Sequence, residues 1–167
     1  MQRRTGYTER QATSGGIMTY RTIVFAYDGS AEGQAALAEG IELARLVGAR
    51  CHLLAVMAVP REAKYAQVVV PEDCLDEDCA RTRRILQEGI ERFKDAGLEV
   101  DGVIRVGEAA PVIGEYAAEV EADLVVVGHR RRGPLDRWWH GSVGHSLLDS
   151  LPCSLLVAMP RSEEANG

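Results

Sequence analysis

The stretch TIVFAYDGSAEGQAALAEGIELARLVG, Thr22 to Gly48, decides the fold. Its first six residues, Thr22 to Tyr27, are apolar almost throughout, which marks a strand buried on both faces. Asp28-Gly29-Ser30 stops that strand with turn residues and leaves Ser30 placed to cap a helix. From Ala31 to Val47, residues Ala35, Leu37, Ala38, Ile41, Leu43, Ala44 and Leu46 form a broad apolar face, and Gly48 supplies the C-terminal cap. A doubly buried strand followed at once by such a helix is the first half of a βαβ unit, which implies a parallel sheet.

Working outward, Cys51 to Val59 (CHLLAVMAV) is a second buried strand, closed by Pro60. Arg61 to Pro71 breaks the pattern and reads as a loop. Glu72 to Ala96 carries its acids first (Glu72, Asp73, Asp76, Glu77, Asp78) and bases later (Arg81, Arg83, Arg84), as a helix dipole prefers, and ends at Gly97. Leu98 to Val106 is predicted as a third strand, and Glu108 to Glu121 as a helix with Pro111 in its first turn. Asp123 to Val127 (DLVVV) is the fourth strand. Ser142 to Ser150 has helical spacing, and Ser154 to Met159 is the fifth strand. The alternation of strand and helix therefore predicts an α/β fold: a five-stranded parallel open sheet, doubly wound and Rossmann-like.

A chain of 167 residues suits one domain, expected over 19–160, between a disordered extension at 1–18 and a flexible tail at 161–167. Met18, just ahead of the first strand, is a second candidate start. The net charge of −6 argues against a nucleic-acid coat, which needs a basic face. No apolar run reaches the ~20 residues of a membrane span. Cys51, Cys74, Cys79 and Cys153 show no metal-ligand spacing and read as reduced thiols in the cytoplasm, and the four histidines form no helical ligand pair, so no metal site is expected.

In an open α/β sheet, ligands sit beyond the carboxyl ends of the strands where strand order reverses. If the first and fourth strands are neighbours, the Ala26 to Ser30 turn and the Gly128 to Ser142 connection meet there, and the latter runs into a helix N-terminus that favours phosphate. The G-x-G-x-x-G, P-loop and G-x-S-x-G patterns are all absent, which removes the ordinary dinucleotide, P-loop and hydrolase-elbow readings. No catalytic residue is assigned. A phospho-acceptor receiver would want clustered acids at the ends of strands one and three, whereas strand three ends Arg105-Val106-Gly107.

The segment GHRRRGPLDRWWHGS, Gly128 to Ser142, resembles the G-x2-G-x9-G-[ST] nucleotide motif of the universal stress protein family. GSVGHSLLDSLPCSLLVA resembles that family's closing helix and strand, and TIVFAYDGSAEGQAALAEGIELA its opening strand, acidic turn and helix. The likeness runs from about residue 20 to 159 and implies a fold of the adenine nucleotide alpha hydrolase-like kind. It further implies a homodimer joined through the last strand and, in one branch of the family, ATP, with or without Mg, between strands one and four. By position, Ala26 and Tyr27 would flank the adenosine, Asp28 would lie close to the nucleotide, and the backbone of Val56 would meet adenine. Gly128 matches the first motif glycine, and Gly141, Ser142 and Val143 match the phosphate-binding end. The second motif glycine is replaced by Arg131, while Arg130 and Arg131 could pair with phosphates through forked contacts. Two readings follow. One is a nucleotide-binding stress or signalling protein with at most slow ATP hydrolysis, and the other a nucleotide-free dimer acting through protein partners.

Overall fold

β1 (Thr22–Ala26) lies at the centre of a five-stranded parallel sheet in the computed structural model, which describes residues 20–58, 77–128 and 147–159. β1 is followed by α1 (Ala31–Val47), β2 (Arg50–Met57), α2 (Glu77–Asp95), β3 (Val100–Val106), α3 (Ala109–Glu119), β4 (Leu124–Gly128), α4 (Leu147–Ser150) and β5 (Ser154–Ala158). The sheet order is β3-β2-β1-β4-β5, so the winding reverses direction between β1 and β4. Where both ends of an element are described, it begins and ends within a few residues of its expected place. The helices expected over 72–96 and 142–150 are described only from Glu77 and Leu147 onward, and the loop expected over 61–71 lies outside the described residues.

Strand alternation sorts the core into two layers. Ile23 and Phe25 of β1, Leu53 of β2 and Leu124 and Val126 of β4 face α1 and α2, where Leu37, Ile41 and Phe93 meet them. Val24, Leu54, Val125 and Val127 face the other way, against Ile113, Tyr116 and Ala117 of α3 and Leu147 of α4. Phe25 and Phe93 meet edge to face with ring centroids 5.0 Å apart, a favoured aromatic geometry. α1 has the caps its sequence announces: the Ser30 side chain accepts from Gly33 N, and Gly48 closes the helix at φ 66. At the opposite end of the sheet, Asp123 Oδ2 accepts from Arg21 N at 2.9 Å and Thr22 N at 3.0 Å, tying the starts of β1 and β4 together.

The cysteines need one correction. Cys51 is a buried thiol whose pKa burial pushes up to about 11, and Cys153 likewise forms no disulfide. Cys79, only 1% exposed in the first turn of α2, is disulfide-bonded rather than reduced as expected, and its partner lies outside the described residues. Composition and spacing report an average redox environment, whereas burial shields this one sulfur from solvent reductants. No helix among the described residues is long and apolar enough to cross a membrane, and they contain no group of three potential metal ligands.

A polar cluster sits under α3. His52 is 9% exposed, with Nδ1 3.2 Å from the Tyr116 hydroxyl and 3.9 Å from Asp101 Oδ2. Arg105 lies over the Tyr116 ring, 5.4 Å from its centroid, and its Nη2 donates to both carboxylate oxygens of Glu119 at 2.8 and 2.9 Å. Burial holds the His52 pKa below its ordinary 6.5; Asp101 opposes this and Arg50 adds to it. The folded chain therefore takes up this proton later than the unfolded chain as pH falls. The His52 contribution is fully present above the unfolded value and is lost as pH drops from 6.5 toward the depressed folded value. Urea denaturation at about pH 7.5 and about pH 5.5 should show a loss of stability at the lower pH that His52→Gln reduces; an unchanged loss in that variant would place the acid sensitivity elsewhere.

Candidate functional site

The parallel register carries the expected residues to one edge. Ala26 pairs with Leu54 and Phe25 with Val126, so continuing each ladder by two residues sets Val56 level with Asp28 and Gly128 level with Tyr27. Ala26, Tyr27, Asp28, Val56 and Gly128 thus converge at the carboxyl ends of β1, β2 and β4, where strand order reverses. Arg130, Arg131, Gly141, Ser142 and Val143 lie outside the described residues.

The turn after β1 is fixed by its own side chains. Asp28 Oδ1 accepts from Ser30 N at 2.9 Å and from the Ser30 hydroxyl, whose oxygen in turn accepts from Gly33 N at 3.0 Å. Gly29 stands at φ 75, a conformation open to glycine and costly for other residues. Asp28 is exposed even so, because the chain of hydrogen bonds holds its carboxylate at the rim of the turn.

Tyr27 behaves differently from its neighbours. It is 3% exposed, with its ring wedged against Gly33 of α1 and Gly89 of α2. Burial raises its pKa above the ordinary 10.0; Arg92 is close enough to pull it down, yet no hydrogen bond of sound geometry reaches the hydroxyl from a described residue. What Tyr27 offers the strand end is therefore its main chain. Val56 is half-buried on the α3 side, and its neighbour Met57 places its sulfur 3.8 Å from that of Cys79.

Gly128 makes the closest approach in this region. A Cβ there would stand 2.5 Å from the Glu32 carbonyl oxygen and 2.8 Å from Gly33 N, so the end of β4 lies directly against the first turn of α1. Beside this junction opens a cleft of about 410 Å³, lined by Asp28, Gly29 and Ser30 from the turn and by Arg81, Arg84, Ile85 and Glu88 from α2. The four α2 residues carried no functional reading in the sequence. Their spacing of three, four and seven residues marks a single helix face, but periodicity leaves open which neighbour that face meets.

Comparison with known proteins places this geometry. A sequence model described as the universal stress protein family matches residues 19–158. Universal stress protein YxiE of Bacillus subtilis is 28% identical over 148 residues, covering 83% of this chain and 98% of its own length. Among solved structures, a universal stress protein in complex with cAMP superposes with a TM-score of 0.64 at 25% identity, covering 84% of this chain and 97% of the other. A universal stress protein family member from Arabidopsis thaliana with AMP bound has a TM-score of 0.62 at 19% identity, covering 86% and 94%, and shows likeness of fold alone.

Because the atoms facing Gly128 are backbone, they cannot rotate away from an added methyl. Gly128→Ala should cost about 1–3 kcal/mol in urea denaturation by overpacking. Wild-type stability in that variant would show that β4 and α1 are free to separate.

Proposed function

We propose, from the premise that this chain belongs to the universal stress protein family, that it binds an adenine nucleotide at the carboxyl edge of β1 and β4 and serves in stress response or signalling. The observation that carries this reading is the convergence of Ala26, Tyr27, Asp28, Val56 and Gly128 at the point where strand order reverses. The cAMP complex of a relative at 25% identity supports the same class of ligand.

The nucleotide we assign is ATP. The described strand ends fit such a group: Val56 is half-buried at the edge, Asp28 is exposed beside it, and Gly128 brings the end of β4 against the first turn of α1 at the same edge. The phosphates fall to Gly141, Ser142 and Val143 of the motif, with Arg130 and Arg131 as charge partners. Among the described residues at the ends of β1, β2 and β4, Asp28 is the carboxylate that would hold a Mg ion, which would offset phosphate charge. The chain's own residues here bind and orient, and no described group is poised as a base, so we read it as a binding module with at most slow hydrolysis. We further assign a cytoplasmic location and a homodimer through β5, whose outer edge is unpaired among the described strands and which is followed by exposed Met159.

Equilibrium titration of the purified chain with ATP, AMP and cAMP tests the reading. Saturable micromolar binding of at least one of them, weakened about tenfold by Asp28→Ala (~1.4 kcal/mol), is the expected result. No binding at millimolar concentration overturns it and leaves the nucleotide-free dimer.

A further inference from the structure

Asp28 stands in a turn whose backbone sterics do not lock. Gly29 beside it is at φ 75, a conformation that glycine enters and leaves at little steric cost. Gln34 of α1 holds both carbonyls that follow Asp28: its amide donates to the Ser30 oxygen at 2.8 Å, and its side-chain Nε2 to the Gly29 oxygen at 3.4 Å. Gln34 is itself held, because Arg92 Nη2 of α2 donates to Gln34 Oε1 at 3.0 Å, which turns the side-chain amide so that Nε2 faces the turn. Arg92 also stands beside the hydroxyl of Tyr27, the residue on the other side of Asp28, whose ring is wedged against Gly33 and Gly89. One guanidinium thus bears on both neighbours of Asp28, by proximity at Tyr27 and through Gln34 at Gly29.

The carboxylate follows that turn closely. A Cβ at Gly33 would stand 2.7 Å from Asp28 Oδ1, and the same oxygen accepts from Ser30 N, so a rotation of the peptide after Gly29 carries the carboxylate with it. We propose that Gln34 and Arg92 are positioning residues for the nucleotide site, holding the Gly29 carbonyl so that Asp28 keeps the direction in which a ligand at the strand ends meets it. This rests on the nucleotide reading given above. Neither side chain touches that ligand: α1 and α2 cover the face of the sheet opposite Val56 and α3, so the two brace the turn from behind. Exposed hydrogen bonds of this kind add little to folding, but a binding group left free must be ordered again by each ligand, which weakens binding. Loss of the bridge should therefore register in affinity more than in stability.

The test is calorimetric titration of the full chain with ATP, joined to amide hydrogen exchange of the chain without ligand. Gln34→Met keeps the length of the side chain and the net charge but neither side-chain hydrogen bond. It should weaken ATP binding about fivefold and speed exchange of the Ser30 amide at least about threefold, with the urea midpoint unchanged. Arg92→Ala should weaken ATP binding by a similar factor, and Arg92→Lys, which keeps a donor for Gln34, should recover most of the loss. Because the bridge acts through Asp28, Gln34→Met added to Asp28→Ala should cost less than about a further twofold. ATP affinity in Gln34→Met equal to that of the unaltered chain overturns the proposal and leaves the nucleotide reading standing, and so does an equal loss with and without Asp28. If Gln34→Met shifts the urea midpoint, the Arg92→Ala and Arg92→Lys pair carries the same comparison. Failure of the unaltered chain to bind ATP at millimolar concentration removes the nucleotide reading and this role with it, and unchanged Ser30 exchange in Gln34→Met overturns the role whether or not ATP binds.

Discussion

The backbone contact between Gly128 and the first turn of α1 is the constraint on which the site depends. A parallel sheet needs helices on both faces, and α1 must reach across β1 to cover β4 while its N-terminus stays at the carboxyl edge. That reach is possible because β4 ends without a side chain, which lets the Glu32 carbonyl and Gly33 amide come against it. Asp123 fixes the other end by bonding the Arg21 and Thr22 amides, so β1 and β4 are held in register at both ends. With both ends set, the turn from Asp28 to Ser30 has little freedom, and its internal hydrogen bonds remove what remains. The described part of the strand-end turn is thereby set by the fold itself, which would limit the ordering cost of any ligand bound there.

Much of this was legible in the sequence, for identifiable reasons. Doubly buried strands such as TIVFA and LVVVG announce themselves because every residue is apolar, and Gly48 and Ser30 were readable as caps because their chemistry is local. The placing of Ala26, Asp28, Val56 and Gly128 at one edge followed from strand order and from the family resemblance. The orientation of Tyr27 was not legible. It lies one residue past β1, and only the positions of α1 and α2 determine that its ring turns inward rather than toward the edge. The α2 arginines were visible as a basic stretch suited to the helix dipole, yet the neighbour they meet depends on how Ile85 docks on Gly29, a contact across more than fifty positions of chain that spacing alone does not encode. The Cys79 disulfide was missed for a related reason, since a sulfur's partner is a matter of three-dimensional proximity.

The two faces of the sheet carry different electrostatic loads. On the α1 and α2 side, polar groups gather at the rim, where the cleft keeps Arg81, Arg84 and Glu88 in water and their desolvation cost is small. On the α3 side, His52 and Tyr116 are drawn into the layer itself, and the pair is tolerable because each supplies the other's hydrogen bond while Arg105 covers the ring. The cost of that arrangement appears in the depressed His52 pKa and the raised Tyr116 pKa, both caused first by burial. The α3 face is thus the part of the fold sensitive to acid, and the α2 face the part that keeps its charges in water.

The position of the edge strand follows from the same topology. Gly128 is paired with Ala158, so the end of β4 that packs on α1 is also hydrogen-bonded to the end of β5. Adjacent strands are about 4.8 Å apart, and β4 is the one strand between the reversal point and edge strand β5. Any rearrangement at the β1 and β4 ends must pass through a ladder of five paired residues, Leu124 to Gly128 against Ser154 to Ala158, before it reaches that edge. Such a ladder resists sliding, because a one-residue slip would turn Leu155 and Val157 away from α3 and α4 and exchange their layer with that of Leu156 and Ala158. A signal from the site to β5 would therefore travel as a tilt or stiffening of paired strands rather than as a change of register, which suits a module whose occupancy alters a surface more than its fold.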